Sequence, residues 1–430
     1  MRNVIGLDFG TTNSAIAVAR PDGTVQLASF SLDGQPTSVF RSVLYFDPEH
    51  LEPTGKPRAI GGTEAIARYL QADTKGRLIQ SVKSHLGSPL FKQTVIFHHT
   101  FTVEELIALI IRSLREAAEQ QFGALGGHVV VGCPAHFSGA TSESEDAAAL
   151  ERLRLALAQG GFANVEFELE PVAAAYEYEQ QLDHDELVLI ADFGGGTSDF
   201  SLLQLGPQAR ARGQRAKDIL GTDGVAIAGD AFDSRFIHYL VAPHFGRGSQ
   251  YRTPFGRELS VPLWIYEKLE QWHQLSFLKS REMMEMLRQI HFQSREPEKI
   301  EALIHVVDED LGYQLARAVE DVKCNLSSQQ ASTFTFHDPP VDIVAQVQRD
   351  DFTNWIAVDL QAIATCVDRL LARCGVTPND IESVFLTGGS SFVPAVRQIF
   401  ADRFSIARLR GGGELTTVAK GLALRALALT

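Results

Sequence analysis

Two short segments of the sequence combine a carboxylate with glycines and hydroxyl side chains. Residues 3–18 read NVIGLDFGTTNSAIAV, and residues 187–203 read LVLIADFGGGTSDFSLL. In each segment a β-rich run ends at Asp-Phe-Gly, small and hydroxyl residues follow, and a second β-rich run begins, which predicts a β-hairpin. Glycines allow backbone N–H groups to approach a ligand, and successive N–H groups form a concavity that binds anions. Phosphate binding is therefore the chemistry that both segments could perform.

A single Asp-Gly hairpin is more often an ordinary turn at the edge of a sheet, so the repetition is what favours a ligand site. The repeated aspartates are Asp8 and Asp192, and Asp199 follows within the second hairpin. Because a carboxylate repels a phosphate unless a cation lies between them, the three side chains predict bound Mg²⁺, which prefers oxygen ligands. The predicted hydroxyl donors beside them are Thr11, Thr12 and Thr197.

A third glycine-containing turn occurs in residues 384–400, VFLTGGSSFVPAVRQIF. An apolar run meets Gly388, Gly389 and Ser390, and helical periodicity follows, with Pro394 near the first turn of the predicted helix. A strand, a glycine turn and a helix N-terminus can bind phosphate or sugar, although many α/β proteins use such turns only structurally. The patterns of P-loop enzymes and of dinucleotide-binding proteins do not occur, so both of these classes are excluded.

The composition is that of a globular protein with more than one core. The chain has 430 residues, 45% hydrophobic and 21% charged, with a formal net charge of −14. This negative charge argues against a general nucleic-acid or anionic-membrane binder. The cysteines are scattered, the His98–His99 pair lacks further ligands, and no apolar run resembles a secretory signal or a membrane span. We expect reduced cysteines, no zinc site, and a cytoplasmic location.

The three glycine motifs, in this order, resemble the two phosphate motifs and the adenosine motif of the actin–hexokinase–Hsp70 ATPase superfamily. Within it, residues 4 to about 425 resemble the nucleotide-binding domain of the Hsp70 family. The first hairpin carries this resemblance over its whole length. The other similar segments are SVKSHLG (81–87), VVVGCPAHF (129–137), ELEPVAAAYEY (168–178), GDAFDSRFIHYL (229–240) and VEDVKCNLSS (319–328).

The resemblance implies ATP or ADP with Mg²⁺ as the bound group and assigns roles to individual residues. Lys83 takes the position of the catalytic lysine, Glu170 that of the residue that positions water, and Pro134 that of the hinge proline. Asp192 and Thr197 complete the implied catalytic set, and Asp8, Asp192 and Asp199 the metal ligands. The implied nucleotide contacts are Gly10, Thr11, Thr12, Asn13, Gly194, Gly195, Gly196, Thr197, Gly229, Glu320, Lys323, Ser327, Gly388, Gly389, Ser390 and Phe392.

The residue types alone leave two of these roles open. A lysine near the γ-phosphate supplies a cation, and a glutamate can orient the attacking water. Lys83 could equally be a solvated surface lysine. Glu170, followed by a proline and an alanine-rich helix, could instead be an acid that interacts with the helix dipole.

The sequence also departs from the family pattern. The two arginines that usually sandwich adenine correspond here to Cys324 and Phe392, of which Phe392 can still stack on a base. The interdomain signalling arginine corresponds to about Ser142. The peptide-binding domain of complete Hsp70s has no counterpart in these residues, so the nearest resemblance is to short bacterial Hsp70-like proteins of the YegD type.

Residues 243–300 have no counterpart in standard Hsp70s. Their second half places apolar residues at helical spacing, among them Trp264, Leu269 and Leu278, and Met283, Met284 and Met286 follow. These side chains could fill the core of an enlarged subdomain. Alternatively they form a surface for a protein partner, since Trp and Met are enriched at adaptable interfaces.

We predict an α/β actin-like ATPase fold, with two similar ribonuclease H-like lobes around a central nucleotide cleft. Each lobe is expected to contain a mixed five-stranded sheet. The predicted boundaries are residues 1–182 for lobe I, with an insertion at about 30–118, and 183–410 for lobe II, with an insertion at about 230–355. Residues 411–430 are expected to form a helix that packs back toward lobe I.

Three functions fit this sequence. The first is an Hsp70-like, slow Mg-dependent ATPase with a chaperone-like role that acts through a co-chaperone or client. The second is a nucleotide-sensing scaffold with little or no hydrolysis, and the third is a small-molecule kinase, in which an aspartate deprotonates a substrate hydroxyl. A filament-forming relative is a further possibility that sedimentation with ATP would test.

Overall fold

The computed structural model describes residues 4–32, 34–52, 55–72, 76–134, 136–212, 215–253, 255–410 and 416–429. The chain forms two compact units, one of residues 1–229 and 362–430 and the other of residues 230–361. Among the described residues, no helix is both long and apolar enough to span a bilayer.

The first 236 residues contain sixteen strands and seven α-helices among those described. The strands are β1 Val4–Phe9, β2 Asn13–Ala19, β3 Val25–Leu27, β4 Phe30–Leu32, β5 Gln35–Thr37, β6 Phe40–Arg41, β7 Val43–Leu51, β8 Pro57–Gly61, β9 Arg77–Gln80, β10 Gln93–Ile96, β11 His99–Thr102, β12 His128–Cys133, β13 Asn164–Leu169, β14 Glu186–Phe193, β15 Ser198–Leu205 and β16 Ile219–Val225. The helices are α1 Thr63–Gln71, α2 Val103–Phe122, α3 Glu143–Gln159, α4 Glu170–Glu179, α5 Pro207–Arg212, α6 Arg215–Asp218 and α7 Gly229–Phe236.

The remaining elements follow in chain order. The helices are α8 Leu263–Glu270, α9 Arg281–Gln293, α10 Pro297–Asp308, α11 Gly312–Ser328, α12 Arg349–Trp355, α13 Ala357–Cys374, α14 Pro394–Phe404 and α15 Thr417–Ala428. The strands are β17 Gln250–Arg252, β18 Glu258–Ser260, β19 Ala331–Asp338, β20 Val341–Gln348, β21 Ser383–Thr387 and β22 Leu409–Arg410.

Two mixed sheets form the frame of the first unit. One has the order β13-β12-β1-β2-β3, with short β6 also paired to β2, and the other has the order β16-β15-β14-β21-β22. In each sheet a central strand pairs antiparallel with the next strand in the chain, β1 with β2 and β14 with β15. The same central strand also pairs parallel with a strand that follows a long connection, β12 or β21. This shared pattern is the α/β arrangement predicted from the repeated motif, with one short strand more than expected in the first sheet.

Helices α4 and α15 lie in one apolar core with residues from both sheets. Two glycines bring backbones together there. A Cβ on Gly421 of α15 would lie 1.8 Å from the carbonyl oxygen of Ala173 in α4, and one on Gly6 would lie 2.2 Å from the nitrogen of Ala423. Contacts this close leave no room for a side chain, so the two positions require glycine.

The second unit contains the two-stranded sheets β17-β18 and β19-β20 and a group of helices. The apolar pattern around residues 264–278 predicts one amphipathic helix, whereas α8 ends at Glu270 and a 3-10 helix runs over Trp272–Lys279. Leu269, Leu278 and Met284 are nevertheless buried. These apolar residues therefore contribute to the core of this unit.

Candidate functional site

The first predicted hairpin consists of β1 and β2. Asp8 lies near the end of β1, and Thr12 lies in the turn between the two strands. Asp8 pairs with Ala15 across the hairpin. A Cβ on Gly10 would lie 2.2 Å from the carbonyl oxygen of Asn13, which keeps this turn tight. The side-chain oxygen of Asn13 accepts a hydrogen bond from Arg41 at 2.9 Å. The hydroxyl of Thr12 is buried and has no hydrogen-bond partner among the described residues. Buried hydroxyls normally have such a partner, so a bound ligand would account for this one.

The second hairpin repeats this geometry with a further carboxylate. Asp192 and Asp199 stand directly opposite each other on β14 and β15. The N–H of Gly194 donates to the carbonyl oxygen of Thr197 at 2.9 Å and closes the turn. Asp199 is 3% exposed and accepts a hydrogen bond from the hydroxyl of Thr197. The turn therefore places two carboxylates and a hydroxyl at one end of the sheet.

The third glycine motif reaches the same end of this sheet. Strand β21 runs parallel to β14, so that Thr387 pairs with Asp192. Gly388 follows with φ +81°, and a Cβ on it would lie 2.1 Å from the carbonyl oxygen of Phe193. The turn continues as a 3-10 helix over Gly389–Phe392, in which Ser390 is buried and Phe392 is 42% exposed. As predicted, the strand, turn and helix are consecutive.

Lys83 and Glu170 form a buried ion pair. Lys83 Nζ lies 2.9 Å from Glu170 Oε1, and about a tenth of each side chain is exposed. Burial by itself would lower the pKa of Lys83, but the Coulombic attraction and hydrogen bond of Glu170 raise it, so the lysine is charged. Glu170 begins α4, and Gly132 of β12 leaves it room, since a Cβ there would lie 2.9 Å from Glu170 Cγ.

The three aspartates and this ion pair interact electrostatically as one group. Withdrawal from water and then the Glu170 carboxylate raise the pKa of Asp8 well above its usual range, and Asp192 adds to the effect. The same two causes raise the pKa of Asp192 to about 7 and raise that of Asp199. Lys83 opposes all three shifts. Such an accumulation of negative charge is relieved by a cation.

The donor set fits Mg²⁺ held partly through water. Among the His, Cys, Asp and Glu side chains of the described chain, the only group with three ligand atoms all within 4.8 Å of one another is His184, Glu186 and Glu382. Oxygens of Asp8, Asp192 and Asp199 therefore do not all lie within 4.8 Å of one another, and the three carboxylates are not arranged to contact one ion together. Mg²⁺ usually keeps several waters and takes one or two carboxylates, so this spacing is compatible with it.

Three further predicted nucleotide contacts lie in the second unit. Glu320, Lys323 and Ser327 are on α11. Lys323 Nζ lies 2.7 Å from an oxygen of Asp233, and Ser327 donates to the carbonyl oxygen of Lys323 at 3.2 Å. Cys324 is exposed. Gly229, also predicted, belongs to the first unit and is the first residue of α7.

One residue that supports this site has no signal in the sequence. Arg152 of α3 donates to the carbonyl oxygens of Leu86 and Ser88, at 2.8 and 3.4 Å, and its Nε donates to Glu104. A third carbonyl acceptor is that of His85, at 3.2 Å. Arg152 thus fixes the turn that follows Lys83. The distance along the chain between the arginine and its acceptors hides this role from sequence reasoning.

Comparison with known proteins gives one consistent family. The family model described as "Hsp70 protein" matches residues 58–251 and 291–430, and so leaves residues 252–290 unmatched within the segment noted above. Proteins named "Chaperone protein DnaK" from Thermosipho africanus, Thermotoga petrophila and Thermotoga maritima are each 25% identical over 99% of the chain. The chain spans 59% of the length of each of these relatives.

Proposed function

Because the chain belongs to the Hsp70 family, we propose that it binds Mg·ATP and hydrolyses it slowly to ADP and phosphate. The observation that carries the proposal is the electrostatic group formed by Asp8, Asp192 and Asp199 with Lys83 and Glu170. Phosphoryl transfer to water requires positioning and charge neutralisation more than covalent chemistry, and this group offers both.

The roles of the residues follow from their charges and contacts. The turns at Gly10, Gly194 and Gly388 expose backbone N–H groups to the phosphates, and the partnerless hydroxyl of Thr12 donates to a phosphate oxygen. Mg²⁺, when bound beside Asp8, Asp192 and Asp199, neutralises phosphate charge. Lys83 supplies a further cation, and Glu170 accepts a hydrogen bond from the attacking water.

The wider arrangement is part of the same proposal. Residues 1–182 and 183–410 act as two lobes, and a hinge at Pro134 couples the nucleotide state to their shape, as in other enzymes that close around a ligand. The DnaK relatives are named chaperones. By analogy with these relatives, the proposal includes a chaperone-like role in the cytoplasm. This role would be carried out through a co-chaperone or client protein that binds within residues 243–300.

Single-turnover hydrolysis of Mg·ATP tests this function. The wild type is compared with Lys83→Ala and with Lys56→Ala, which removes a half-exposed lysine outside the site. We expect slow hydrolysis by the wild type and by Lys56→Ala, and a loss of about 100-fold in Lys83→Ala, because a charge aimed at the transferred phosphoryl group is removed. Equal rates in all three proteins would contradict the assignment of Lys83.

A nucleotide sensor without hydrolysis is the second candidate, and the Lys83–Glu170 ion pair favours it. The two side chains are bonded to each other at 2.9 Å, so hydrolysis would require each of them to bind the phosphate or the attacking water in addition to its partner. A protein that binds Mg·ATP in equilibrium titration but shows no single-turnover hydrolysis would support the sensor and exclude the ATPase.

A further inference from the structure

Three potential ligand atoms converge at the other end of the second sheet, away from the aspartates. His184 Nε2 lies 3.4 Å from Glu186 Oε1 and 3.8 Å from Glu382 Oε2. Glu186 begins β14, whose far end carries Asp192, and Glu382 immediately precedes β21. Glu186 is buried, whereas more than half of the His184 side chain and half of that of Glu382 are exposed.

Each of these side chains is oriented by a group outside the set. His184 Nδ1 is hydrogen-bonded to the Asp183 carboxylate at 2.6 Å, which leaves Nε2 directed at the glutamates. Glu186 Oε2 accepts hydrogen bonds from Tyr178 at 2.7 Å and Ser383 at 3.0 Å, so that Oε1 faces the histidine.

Glu382 is held in the same way. Its Oε1 accepts from the N–H of Leu187 at 3.4 Å, and its Oε2 faces the histidine. Metal-binding histidines typically donate their second ring nitrogen to a carboxylate, and metal-binding carboxylates are themselves hydrogen-bonded. On each of the three side chains, one atom therefore faces the metal position, and a different atom makes the hydrogen bond that orients the side chain.

From this geometry we infer that His184, Glu186 and Glu382 form a Zn²⁺ site. Zn²⁺ bonds to nitrogen and carboxylate oxygen at about 2.0–2.2 Å, so tetrahedral ligand atoms lie about 3.3–3.6 Å apart. The observed 3.4 Å fits directly, and the observed 3.8 Å requires a small movement of the exposed Glu382 side chain. The fourth position faces solvent and is filled by water. A histidine nitrogen favours zinc over Mg²⁺ or Ca²⁺, which prefer oxygen ligands.

The charge of the site favours a divalent cation. Three carboxylates, those of Asp183, Glu186 and Glu382, lie within 3.8 Å of the His184 ring nitrogens. Their combined negative charge attracts a divalent cation more strongly than a monovalent one, because the interaction scales with the charge of the ion. Bound zinc would join the starts of β14 and β21. At their other ends, β14 carries Asp192 and β21 is followed by Gly388.

Calorimetric titration of the full chain with Zn²⁺ tests the site independently of nucleotide hydrolysis. The protein is first treated with a chelator, its thiols are blocked with N-ethylmaleimide, and Mg²⁺ is kept in excess so that the aspartate group does not take up zinc. We expect one zinc ion per chain, and weaker binding, by about tenfold or more, in His184→Gln, Glu382→Gln and Ser383→Ala.

A matched control is His128→Gln, because His128 pairs with the Glu166 carboxylate at 2.9 Å, and that pair is not part of any three-ligand group among the described residues. Its zinc affinity should equal that of the wild type. With Co²⁺ in place of zinc, the wild type and His128→Gln should show the visible absorption of four-coordinate cobalt, and His184→Gln should not. Unchanged zinc affinity in His184→Gln, or an equal loss in His128→Gln, would overturn the inference.

Discussion

Asp192 keeps its proton to a higher pH than an exposed aspartate, because withdrawal from water and the Glu170 carboxylate both oppose its ionisation. Its pKa is raised to about 7, whereas that of an aspartate in the unfolded chain is about 3.9. Between these two values the unfolded state binds fewer protons than the folded state. The free energy of unfolding of the nucleotide-free and metal-free protein should therefore fall as the pH rises from about 4 to about 7.

Asp8 and Asp199 also have raised pKa values, so Asp192→Asn should remove only the part of this dependence that Asp192 contributes. From about pH 5 to about pH 8 we expect the wild type to lose about 2 kcal/mol more stability than the variant, as urea denaturation in the presence of chelator would measure. Asp22→Asn is the control, because hydrogen bonds from Thr24 lower the pKa of this exposed carboxyl. This variant should lose as much stability between about pH 5 and about pH 8 as the wild type does. An Asp192→Asn variant whose stability depended on pH as strongly as that of the wild type would contradict the raised pKa of Asp192.

Some residues of the site could be recognised from the sequence because the signal is local. Asp8 and Asp192 each stand within a hairpin whose strands and turn are contiguous, so their positions at the ends of strands were predictable. The meeting of Lys83 with Glu170 depends on two distant segments, and the residues alone left both roles open. The histidine and glutamates at the opposite end of the sheet were missed because His184 and Glu382 become neighbours only through the pairing of β14 with β21.

At the scale of elements, α3 positions the turn after Lys83 through a single side chain. Arg152 donates to the carbonyl oxygens of His85, Leu86 and Ser88. We expect Arg152→Ala to lower the single-turnover rate of ATP hydrolysis by about tenfold, because a small displacement of a catalytic group is costly in rate. The affinity for ADP should not change, because ADP lacks the γ-phosphate, which is the group that Lys83 contacts in the proposed mechanism.

Arg154→Ala provides the control on the same helix, because Arg154 donates to the carbonyl oxygen of Val165 and makes no hydrogen bond to residues 85–88 in the described chain. Its hydrolysis rate and ADP affinity should equal those of the wild type. If Arg152→Ala weakened ADP binding and hydrolysis equally, Arg152 would be supporting the fold in general and not the placement of Lys83.

Secondary structure was predicted most accurately where it depends on the pattern of residues that are close together in the sequence. Alternating apolar residues predicted both hairpins, which the strand pairings confirm. The helix predicted around residues 264–278 is interrupted at Gln271, a residue type that does not signal a break, although Leu275 and Leu278 beyond it are buried. Tertiary packing decides such a change of helix type, as it decides that Gly421 must lack a side chain.

At the scale of the whole molecule, the repeated motif and the contacts divide the chain differently. The repeat suggests lobes that meet between residues 182 and 183, whereas the contacts separate residues 230–361 from the rest. The reason is the apolar core around α4 and α15, which includes residues of both repeated sheets and makes them one compact unit. A duplicated sequence identifies equivalent elements, but only packing determines which of them share a core.

The predicted nucleotide residues fall in both compact units, and this distribution leads to a prediction for the whole molecule. In the first unit the phosphate and metal residues form one electrostatic group. In the second, the nucleotide contacts implied by the family resemblance are Glu320, Lys323 and Ser327 on α11. We therefore expect Mg·ATP to slow amide hydrogen exchange in α11 as well as at the turns after β1 and β14.

The effect should reach about a hundredfold at a nucleotide concentration of about 100 times Kd, if exchange requires release of the ligand. Helix α10 of the same unit is the internal control, because it carries no predicted contact and its exchange should not change. Addition of chelator should remove the protection in both places together, because in the proposed site the phosphates bind through Mg²⁺. Protection confined to the turns of the first unit would instead assign the nucleotide to the phosphate residues alone, and would contradict the roles of Glu320, Lys323 and Ser327.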